Sequence, residues 1–365
     1  MNPKSLICKF WSLVFNAADK TSMLLKNPAS TDGELQALDW RTAGSAVALI
    51  MNFLRRQGFK KGDRAAILSV NCPEWVFTDL AIQSLGGVTV SIYPNSSAEQ
   101  VNYVLNDSQA RFVFGNDATQ LAKAQSGVKA VHFDSIVASL GLAPAGTTRK
   151  VIEHFLAFPP KKGPTPIITP VKGDDLATLI YSSGSTGIPK GCMITHANIA
   201  GALTALSASG FKLWAYKDRY LSYLPLGHGY ERINGMALCI WKGIPVAFST
   251  IDDMKVDIRL VKPTMLCGVP AVWRKIKAGI DDPKDALPAK LNKLGLWQPL
   301  LNWSLKQKSG LGKLIADRVV LNKIRAKMGG NLKLLVSGGA PIAPELLAFF
   351  NQLGMELLEG YGATE

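Results

Sequence analysis

Hydroxyl side chains, glycines and one lysine are concentrated in residues 181–191, whose sequence is YSSGSTGIPKG. Glycines let backbone N–H groups approach an anion closely, and hydroxyl and ammonium groups supply further hydrogen-bond donors. These residue types therefore predict a phosphate-binding loop. The apolar residues before the loop predict a strand, and residues 195–206 predict a helix with Thr195 as its N-cap. Anions often bind between such a strand and helix.

Two well-known catalytic motifs do not fit this loop. A Walker A loop has a glycine directly before its lysine and a hydroxyl residue directly after it, whereas Lys190 lies between Pro189 and Gly191. The Gly-x-Ser-x-Gly motif of a serine-hydrolase nucleophile elbow is also absent from the loop. The sequence therefore argues against a P-loop nucleoside triphosphatase and against a hydrolase of that type.

Strand-like and helix-like segments alternate along the chain and would position the loop. Residues 64–70, 73–86 and 88–93 predict a β-α-β unit, in which Pro73 begins the helix and Gly86 ends it. Residues 96–108 then predict a helix that begins with a serine cap, and residues 110–115 predict another strand. The alternation indicates an α/β fold with mostly parallel sheets covered by helices.

A proline-rich segment divides the chain into two predicted subdomains. Residues 159–173 contain no hydrophobic periodicity and are interpreted as a linker. We predict one α/β subdomain over residues 1–158 and a second over residues 174–365. In the second, residues 332–340 and 355–362 predict strands and a helix lies between them. Because ligands collect at the carboxyl ends of parallel strands, we interpret the end of the chain as an incomplete ligand site.

Composition narrows the class of protein. The chain has 365 residues, of which 47% are hydrophobic and 19% are charged, as is typical of globular domains. No apolar run reaches the length of a membrane span, and residues 1–20 are interpreted as a first amphipathic helix. The five cysteines form no Cys-x-x-Cys pair, which favours a reducing compartment and hence a cytoplasmic location. The four histidines are dispersed, so a metal cage is not predicted.

The formal net charge of +14 is concentrated in residues 272–333, which contain fourteen Lys and Arg against four Asp. Leucines and tryptophans recur in this segment at roughly helical spacing, which is typical of a basic amphipathic surface. The simplest interpretation is a solvated helical face above a core stripe. Peripheral contact with an anionic membrane, on its inner face, or with a polyanionic cofactor remains open. Nucleic acid is not predicted as a partner, because no recognised nucleic-acid-binding module accompanies the charge.

Four segments carry a resemblance to a known family. YSSGSTGIPKG resembles the signature of the adenylate-forming, AMP-binding superfamily of acyl-CoA synthetases, peptide-synthetase adenylation domains and luciferases. Three further segments agree in the expected order: YLPLGHGYER (223–232), VSGGAPI (336–342) and EGYGATE (359–365). Together with GVPAVWRKI (268–276), they resemble the long-chain fatty acyl-CoA synthetase branch. The resemblance implies the large N-terminal domain of an adenylate-forming enzyme, with two stacked α/β subdomains.

The resemblance also implies a reaction. In this family a carboxylate attacks the α-phosphate of ATP, which gives an acyl-adenylate and pyrophosphate, and a thiol, usually that of CoA, then displaces AMP. ATP, Mg²⁺, CoA and a fatty acid are therefore the expected cofactors and partners. The residues expected to contact the β- and γ-phosphates are Ser182, Ser183, Ser185, Thr186 and Lys190. Gly184 and Gly187 would let the backbone approach the phosphates closely. A flexible loop of this kind would stabilise the departing pyrophosphate.

Other site residues follow from the same resemblance. Gly338, Gly339, Ala340 and Pro341 would line the adenine, and the segment Glu359, Gly360, Tyr361 and Gly362 would complete the nucleotide site, with Tyr361 stacked on the base. Thr364 would bind the α-phosphate and Glu365 would hold Mg²⁺. The expected catalytic residues are Lys190, Thr186, His228 and Glu365, with His228 near the reacting carboxylate.

Purely structural alternatives to two of these roles remain open. His228 would then be a satisfied structural histidine, and Tyr361 a tyrosine packed in a tight turn. Glu231 and Arg232 are interpreted as a charge pair at the start of a helix and are assigned no chemistry.

Family members continue beyond the segments that this sequence contains, with a hinge and a small C-terminal domain. The hypothesis is therefore that these residues form the N-terminal part of a long-chain fatty acid–CoA ligase, which by itself binds nucleotide weakly and turns over poorly. One alternative is another adenylate-forming ligase that acts on an aryl, shorter acyl or amino acid substrate. A second alternative is a non-catalytic remnant that binds a nucleotide or a membrane.

Overall fold

The computed structural model describes residues 5–26, 34–125, 127–143, 150–183, 189–210, 212–281, 297–307 and 309–364. The strands are β1 Thr21–Lys26, β2 Leu35–Asp39, β3 Arg64–Leu68, β4 Val88–Ile92, β5 Phe112–Gly115, β6 Lys129–His132, β7 Leu176–Ser183, β8 Pro189–Thr195, β9 Tyr220–Ser222, β10 Val246–Phe248, β11 Met265–Gly268, β12 Leu334–Ser337 and β13 Glu356–Glu359.

The α-helices are α1 Leu6–Asn16, α2 Trp40–Arg56, α3 Pro73–Ser84, α4 Ala98–Ser108, α5 Ala118–Leu121, α6 Ile136–Ser139, α7 Val151–Ala157, α8 His196–Ala208, α9 Leu238–Lys242, α10 Met254–Val261, α11 Pro270–Asp281, α12 Trp297–Lys306, α13 Gly310–Ala316, α14 Asn322–Lys327 and α15 Pro344–Gln352. Two π-helices, Tyr230–Ala237 and Asp317–Leu321, continue directly into α9 and α14. Among the described helices, none combines the length and apolar character needed to cross a bilayer.

The described strands form two sheets. One has seven strands in the order β13-β12-β11-β9-β10-β1-β2, and the other has six in the order β6-β5-β3-β4-β7-β8. Every strand pair is parallel except β1 with β2 and β7 with β8. The predicted α/β class with mostly parallel sheets is therefore confirmed.

The predicted boundary at residues 159–173 does not separate the two sheets. Strand β1 pairs with β10, so a strand pair from the first half completes the seven-stranded sheet. Strand β7 pairs with β4, so a strand pair from the second half completes the six-stranded sheet. The segment itself contains neither helix nor strand. Its backbone is fixed to the first half, because the Thr169 N–H donates to the Ser84 carbonyl.

Helix α3 lies in the interior between the sheets. It is buried around its whole circumference, although it includes the polar residues Glu74, Thr78, Asp79 and Gln83. An all-round buried helix needs partners for its polar side chains. Asp79, for example, accepts a hydrogen bond from Gln83 at 2.7 Å. One continuous apolar cluster joins residues of both sheets around this helix, from Leu6 to Leu357.

Connections in the seven-stranded sheet place helices on both of its faces. The crossover from β9 to β10 runs towards the β2 edge, whereas the crossovers from β10 to β11, β12 and β13 run towards the β13 edge. Because parallel crossovers are right-handed, the helices of these two sets lie on opposite faces. The π-helix 230–237 and α9 therefore lie on the inner face. Helices α10 to α15 lie on the outer face.

Local signals in the sequence correspond to the observed boundaries. Ser97 caps α4 in a capping box with Gln100, and Thr195 caps α8 as predicted. Pro73 is in the first turn of α3. One prediction was wrong: the glycine-rich loop does not lie between a strand and a helix. Strand β8 intervenes before α8 and pairs antiparallel with β7, so the loop connects the two strands of a hairpin.

Candidate functional site

The end of the β7-β8 hairpin carries the first group of predicted site residues. Ser182 lies opposite Lys190 in the ladder, and Ser183 lies opposite Pro189. The Lys190 side chain is exposed. The predicted residues Gly184, Ser185, Thr186 and Gly187, and the side chain of Ser183, lie outside the described part of the chain. The hairpin thus presents an ammonium group and a hydroxyl residue side by side at one end of the six-stranded sheet.

A tyrosine supports the base of this hairpin. The Tyr181 hydroxyl donates to an Asp107 carboxylate oxygen at 2.6 Å. The ring of Tyr181 passes over Gly191, where an added Cβ would lie only 2.9 Å from the ring carbon Cζ. Burial and the neighbouring Asp107 carboxylate raise the pKa of Tyr181. The glycine after Lys190 is therefore required by close packing, and Tyr181 remains a neutral donor.

His228 lies in the turn that leads from β9 into the π-helix 230–237. Its Nδ1 accepts a hydrogen bond from the Tyr230 N–H at 3.0 Å, so a neutral ring carries its proton on Nε2. The residue is exposed at the surface, and partial burial of the ring lowers the pKa of His228. A neutral imidazole with an outward N–H can donate a hydrogen bond to a carboxylate, which fits the predicted role.

Two residues from the first half hold this turn in place, and sequence reasoning missed both. Asn71 donates through Nδ2 to the Leu224 carbonyl at 2.7 Å and accepts through Oδ1 from the Leu226 N–H at 3.0 Å. The Ser91 hydroxyl donates to the Gly227 carbonyl at 3.0 Å. Both residues lie at or just beyond the carboxyl ends of parallel strands. That placement was the available signal in the sequence.

Tyr230 joins the turn to the predicted adenine segment. Its hydroxyl donates to the Val336 carbonyl at 2.9 Å. Its ring packs against Gly338, where an added Cβ would lie 2.7 Å from the ring carbon Cε2. Gly338 N–H in turn donates to the Gly268 carbonyl at 3.0 Å. Small residues in this segment therefore allow a tyrosine ring to lie against the backbone.

The carboxyl ends of β12 and β13 are linked by hydrogen bonds. A Glu359 carboxylate oxygen accepts from the Ile342 N–H at 3.0 Å, and the Gly360 N–H donates to the Ser337 carbonyl at 2.7 Å. Ala340 and Pro341 are exposed beside this link, and Gly339 has a positive φ of 80°. The predicted segments 338–341 and 359–362 therefore lie next to each other at the carboxyl ends of these two strands.

Tyr361 and Thr364 lie at the end of the described chain. The Tyr361 side chain is fully exposed, so the alternative of a packed tyrosine in a tight turn is wrong. An added Cβ on Gly229 would lie 3.5 Å from Ile180 Cδ1 and 3.7 Å from Thr364 Oγ1. The structure thus brings together three parts of the chain. They are Ile180 of β7, which lies two residues before Ser182, the turn that contains His228, and Thr364. Glu365, the predicted magnesium ligand, lies outside the described residues.

Glu231 is not part of a surface charge pair, and that interpretation was wrong. Its side chain is completely buried and accepts hydrogen bonds from the Tyr220 hydroxyl at 2.7 Å and the Ser222 hydroxyl at 2.6 Å. Burial raises the pKa of Glu231 to about 8, although both hydrogen bonds favour the charged form. The irregular geometry of the π-helix could not be inferred from the sequence, and it turns this carboxyl group inward onto β9.

Arg232 points away from Glu231 and pairs with a residue of the first half. It is 3% exposed, forms an ion pair with Asp79 of α3, and donates to the Thr178 hydroxyl of β7. Its guanidinium also lies over the ring of Trp75, 5.3 Å from the centroid. A single buried cation therefore links the π-helix to α3 and to the sheet that carries the hairpin.

We expect Glu231→Gln to change how stability depends on pH. The native carboxyl group keeps its proton up to a pKa of about 8, whereas the unfolded group releases it near 4.5. Wild-type stability should therefore fall as pH rises from about 4.5 to 8, with a slope of at most about 1.4 kcal/mol per pH unit from this group. The variant should lack this contribution. Urea unfolding of both proteins between pH 4 and 9 measures the difference, and parallel curves would contradict the assignment.

A second expectation concerns Gly338→Ala. The new methyl group would displace the Tyr230 ring and its hydrogen bond to Val336, so we expect a loss of about 1–3 kcal/mol in unfolding free energy. Gly362→Ala is the matched control, because an added Cβ there meets no atom within 4 Å. Its effect should stay within about 0.5 kcal/mol. Equal effects of the two variants in urea unfolding would contradict the packing role of Gly338.

Comparison with known proteins gives a consistent result. The family model described as "AMP-binding enzyme" matches residues 17–365. The chain is 32% identical over 353 residues to a protein named long chain acyl-CoA synthetase 6, peroxisomal, of Arabidopsis thaliana, with 92% of this chain and 49% of that protein covered. It is 34% identical over 320 residues to long-chain-fatty-acid–CoA ligase FadD15 of Mycobacterium bovis, with 84% and 52% covered.

Solved structures show the same fold. The N-terminal domain of FACL13 from Mycobacterium tuberculosis superposes with a TM-score of 0.71 at 19% identity, over 99% of this chain and 76% of that one. At this identity the likeness concerns the fold alone. The chain spans about half the length of the curated relatives it matches.

Proposed function

The chain belongs to the AMP-binding enzyme family, and from this premise we propose that it is the N-terminal part of an ATP-dependent long-chain fatty acid–CoA ligase. Such an enzyme joins a fatty acid to AMP and then transfers the acyl group to CoA. The proposal rests on one geometric observation. At Gly229, which follows His228 directly, an added Cβ would contact Ile180 of the Lys190 hairpin and Thr364, so three chain segments adjoin there.

We assign ATP to the surface that begins at this meeting point. The hairpin residues, Lys190 among them, would hold the β- and γ-phosphates, and Thr364 would donate to the α-phosphate. The segments 338–341 and 359–362 would hold the adenosine, with the exposed Tyr361 ring available to stack on the base. His228 would orient the fatty acid carboxylate towards the α-phosphate through its Nε2 proton. The chain's own residues thus supply positioning and charge stabilisation.

Magnesium belongs to the same proposal. When bound, Mg²⁺ would supply positive charge that neutralises the charge developing on pyrophosphate. Among the described residues, no three His, Cys, Asp or Glu side chains are grouped as a protein-only metal site would require. Glu365 is the candidate ligand by resemblance, because Mg²⁺ at phosphate-transfer sites is usually held by one or two carboxylates together with substrate phosphates and water.

We further propose that the protein is cytoplasmic and contacts the inner face of a membrane peripherally. Helix α13, within residues 272–333, exposes Leu311, Leu314 and Ile315 beside Lys313. Apolar side chains among cations suit an anionic bilayer surface. The test is sedimentation of the chain with liposomes that contain or lack phosphatidylserine, over a series of salt concentrations. Binding that needs the anionic lipid and weakens with salt supports the contact, and no binding to either liposome overturns it.

Binding of non-hydrolysable acyl-adenylate analogues tests the substrate class without requiring turnover. We expect palmitoyl sulfamoyladenosine to bind the 365-residue chain at least tenfold more tightly in calorimetry than the benzoyl, acetyl or aminoacyl analogues. A preference for one of those would assign the chain to another adenylate-forming ligase. Binding of none of the four would overturn the proposed nucleotide site altogether.

A further inference from the structure

A cavity of about 420 Å³ lies on the outer face of the seven-stranded sheet, between α10, α11, α12 and α14. Its volume is in the range of ordinary small-molecule pockets. His228 and the π-helix 230–237 lie towards the opposite, inner face. Tyr223 lines the cavity with a buried side chain, and its hydroxyl donates to the Cys267 carbonyl at 2.7 Å. None of the predicted nucleotide-site residues in the described part of the chain lines the cavity, so the cavity is separate from the candidate nucleotide site.

The walls of the cavity are apolar. Ile258, Trp297, Val320 and Ile324 contribute buried side chains from four different elements, and Ile276 adds a partly buried one. The Trp297 indole N–H is satisfied by the Ile280 carbonyl at 3.0 Å, so it presents no unmet donor to the interior. An occupant of this space needs an apolar body, because few polar groups are available to bind a polar one.

The rim of the cavity is basic. Five cations line it (Lys255, Arg259, Lys275, Lys323 and Lys327), against one acidic residue, Asp252. Lys275, Lys323 and Lys327 are exposed, and none of them forms an ion pair with another described residue. Like charges gathered around an apolar opening raise the local positive potential, which favours an anion at the mouth.

We propose that this cavity binds a single-chain amphiphile with an anionic head group. The alkyl chain occupies the apolar interior, and the head group lies among the cations of the rim. Fatty acids, fatty acyl thioesters and lysophospholipids share this chemistry. The inference stands on the cavity alone and does not depend on the proposed nucleotide site.

Ligands with the same tail and different head groups test the proposal. The probes are dodecanoate, dodecyl sulfate, dodecyl maltoside and octanoate, each below its micellar concentration and without ATP or CoA. In calorimetry we expect saturable binding of the two anionic dodecyl probes. The maltoside and the shorter octanoate should each bind at least tenfold more weakly, since octanoate loses four methylene groups. Equal binding of the neutral maltoside would overturn the role of the basic rim.

Gly279→Leu fills the cavity without disturbing the helix. Gly279 lines the cavity from α11, an added Cβ there meets no atom within 4 Å, and leucine is the better helix former. We expect at least tenfold weaker binding of dodecanoate. Ala278→Leu is the matched control on the same helix and should leave binding unchanged. If Gly279→Leu also leaves it unchanged, the ligand binds elsewhere and the proposal is wrong.

Charge reversal shows whether binding depends on the cations of the rim or only on the net charge of the whole chain. Lys275→Glu with Lys323→Glu should weaken dodecyl sulfate binding about tenfold or more, because two nearby attractions become repulsions. Lys20→Glu with Lys60→Glu changes the net charge equally at exposed positions in the first half and should change binding less than about twofold. Equal weakening by both pairs would overturn the proposal.

Two acyl probes then separate the sources of the ligand. Palmitoyl-CoA and lysophosphatidic acid, tested against palmitate on the same variants, distinguish a thioester, a phospholipid and a free acid as the preferred occupant. Gly279→Leu should leave the affinity for palmitoyl sulfamoyladenosine unchanged within about twofold, because that ligand would occupy the proposed nucleotide site. Equal weakening of dodecanoate and palmitoyl sulfamoyladenosine by Gly279→Leu would contradict a separate site.

Discussion

Replacing Arg232 by alanine is expected to lower the free energy of unfolding by about 3–5 kcal/mol, since it leaves the buried Asp79 carboxylate without its partner. The Arg232 side chain is 4% exposed and that of Asp79 is 9% exposed, so water cannot replace the lost charge. The substitution also removes a donor to Thr178 and the contact with Trp75. Guanidinium chloride unfolding monitored by tryptophan fluorescence measures the change.

Two further variants test whether the loss comes from the buried Arg232–Asp79 ion pair. Arg41→Ala removes an ion pair with Asp19, whose side chain is 80% exposed, and should lower stability by less than about 1 kcal/mol. The double variant Arg232→Met with Asp79→Leu removes both buried charges and should recover much of the loss. A loss below about 1 kcal/mol for Arg232→Ala would show that this ion pair does not hold the two sheets together.

Lys190→Ala is expected to weaken ATP binding about 10- to 100-fold, the range for loss of a charge-assisted hydrogen bond to phosphate. If the chain catalyses ATP–pyrophosphate exchange with palmitate, the exchange rate should fall about 100- to 1,000-fold. Lys190 is exposed at the end of the hairpin, so the fold should be unaffected. Calorimetry with ATP measures the affinity, and circular dichroism of the variant checks that the fold is unchanged.

The ligand itself supplies a control for Lys190. Palmitoyl sulfamoyladenosine lacks the β- and γ-phosphates, so Lys190→Ala should leave its affinity unchanged within about twofold. Lys212→Ala, at another exposed position, should change neither affinity. Equal weakening of ATP and the sulfamoyladenosine by Lys190→Ala would contradict the assignment of this residue to the outer phosphates.

Local chemistry made much of the secondary structure predictable. Ser97, Thr195 and Pro73 mark helix starts because their side chains or ring geometry satisfy the first turn, whatever the rest of the fold does. The hairpin was harder to predict. Residues 189–195 carry no alternating pattern, and β8 forms because β7 offers it an edge.

The candidate site was only partly predictable, for a related reason. The motif residues are close in sequence, so a resemblance finds them together. Asn71 and Ser91 reach the His228 turn from about 150 and 140 residues away, and no local pattern marks such a contact. Glu231 and Arg232 show the same limit. Adjacent opposite charges look like a surface pair, yet a π-helix sends one side chain to β9 and the other to α3.

Each half of the chain contributes a strand pair to the sheet that the other half mainly forms, which determines what happens when the chain is divided. A break within residues 159–173 would leave β10 without β1 on one fragment and β4 without β7 on the other. Each fragment alone would expose an apolar strand edge and would aggregate. Co-expressed, the two should recombine and restore both sheets, so this loop is a suitable point at which to split the chain into complementing halves for a two-component reporter.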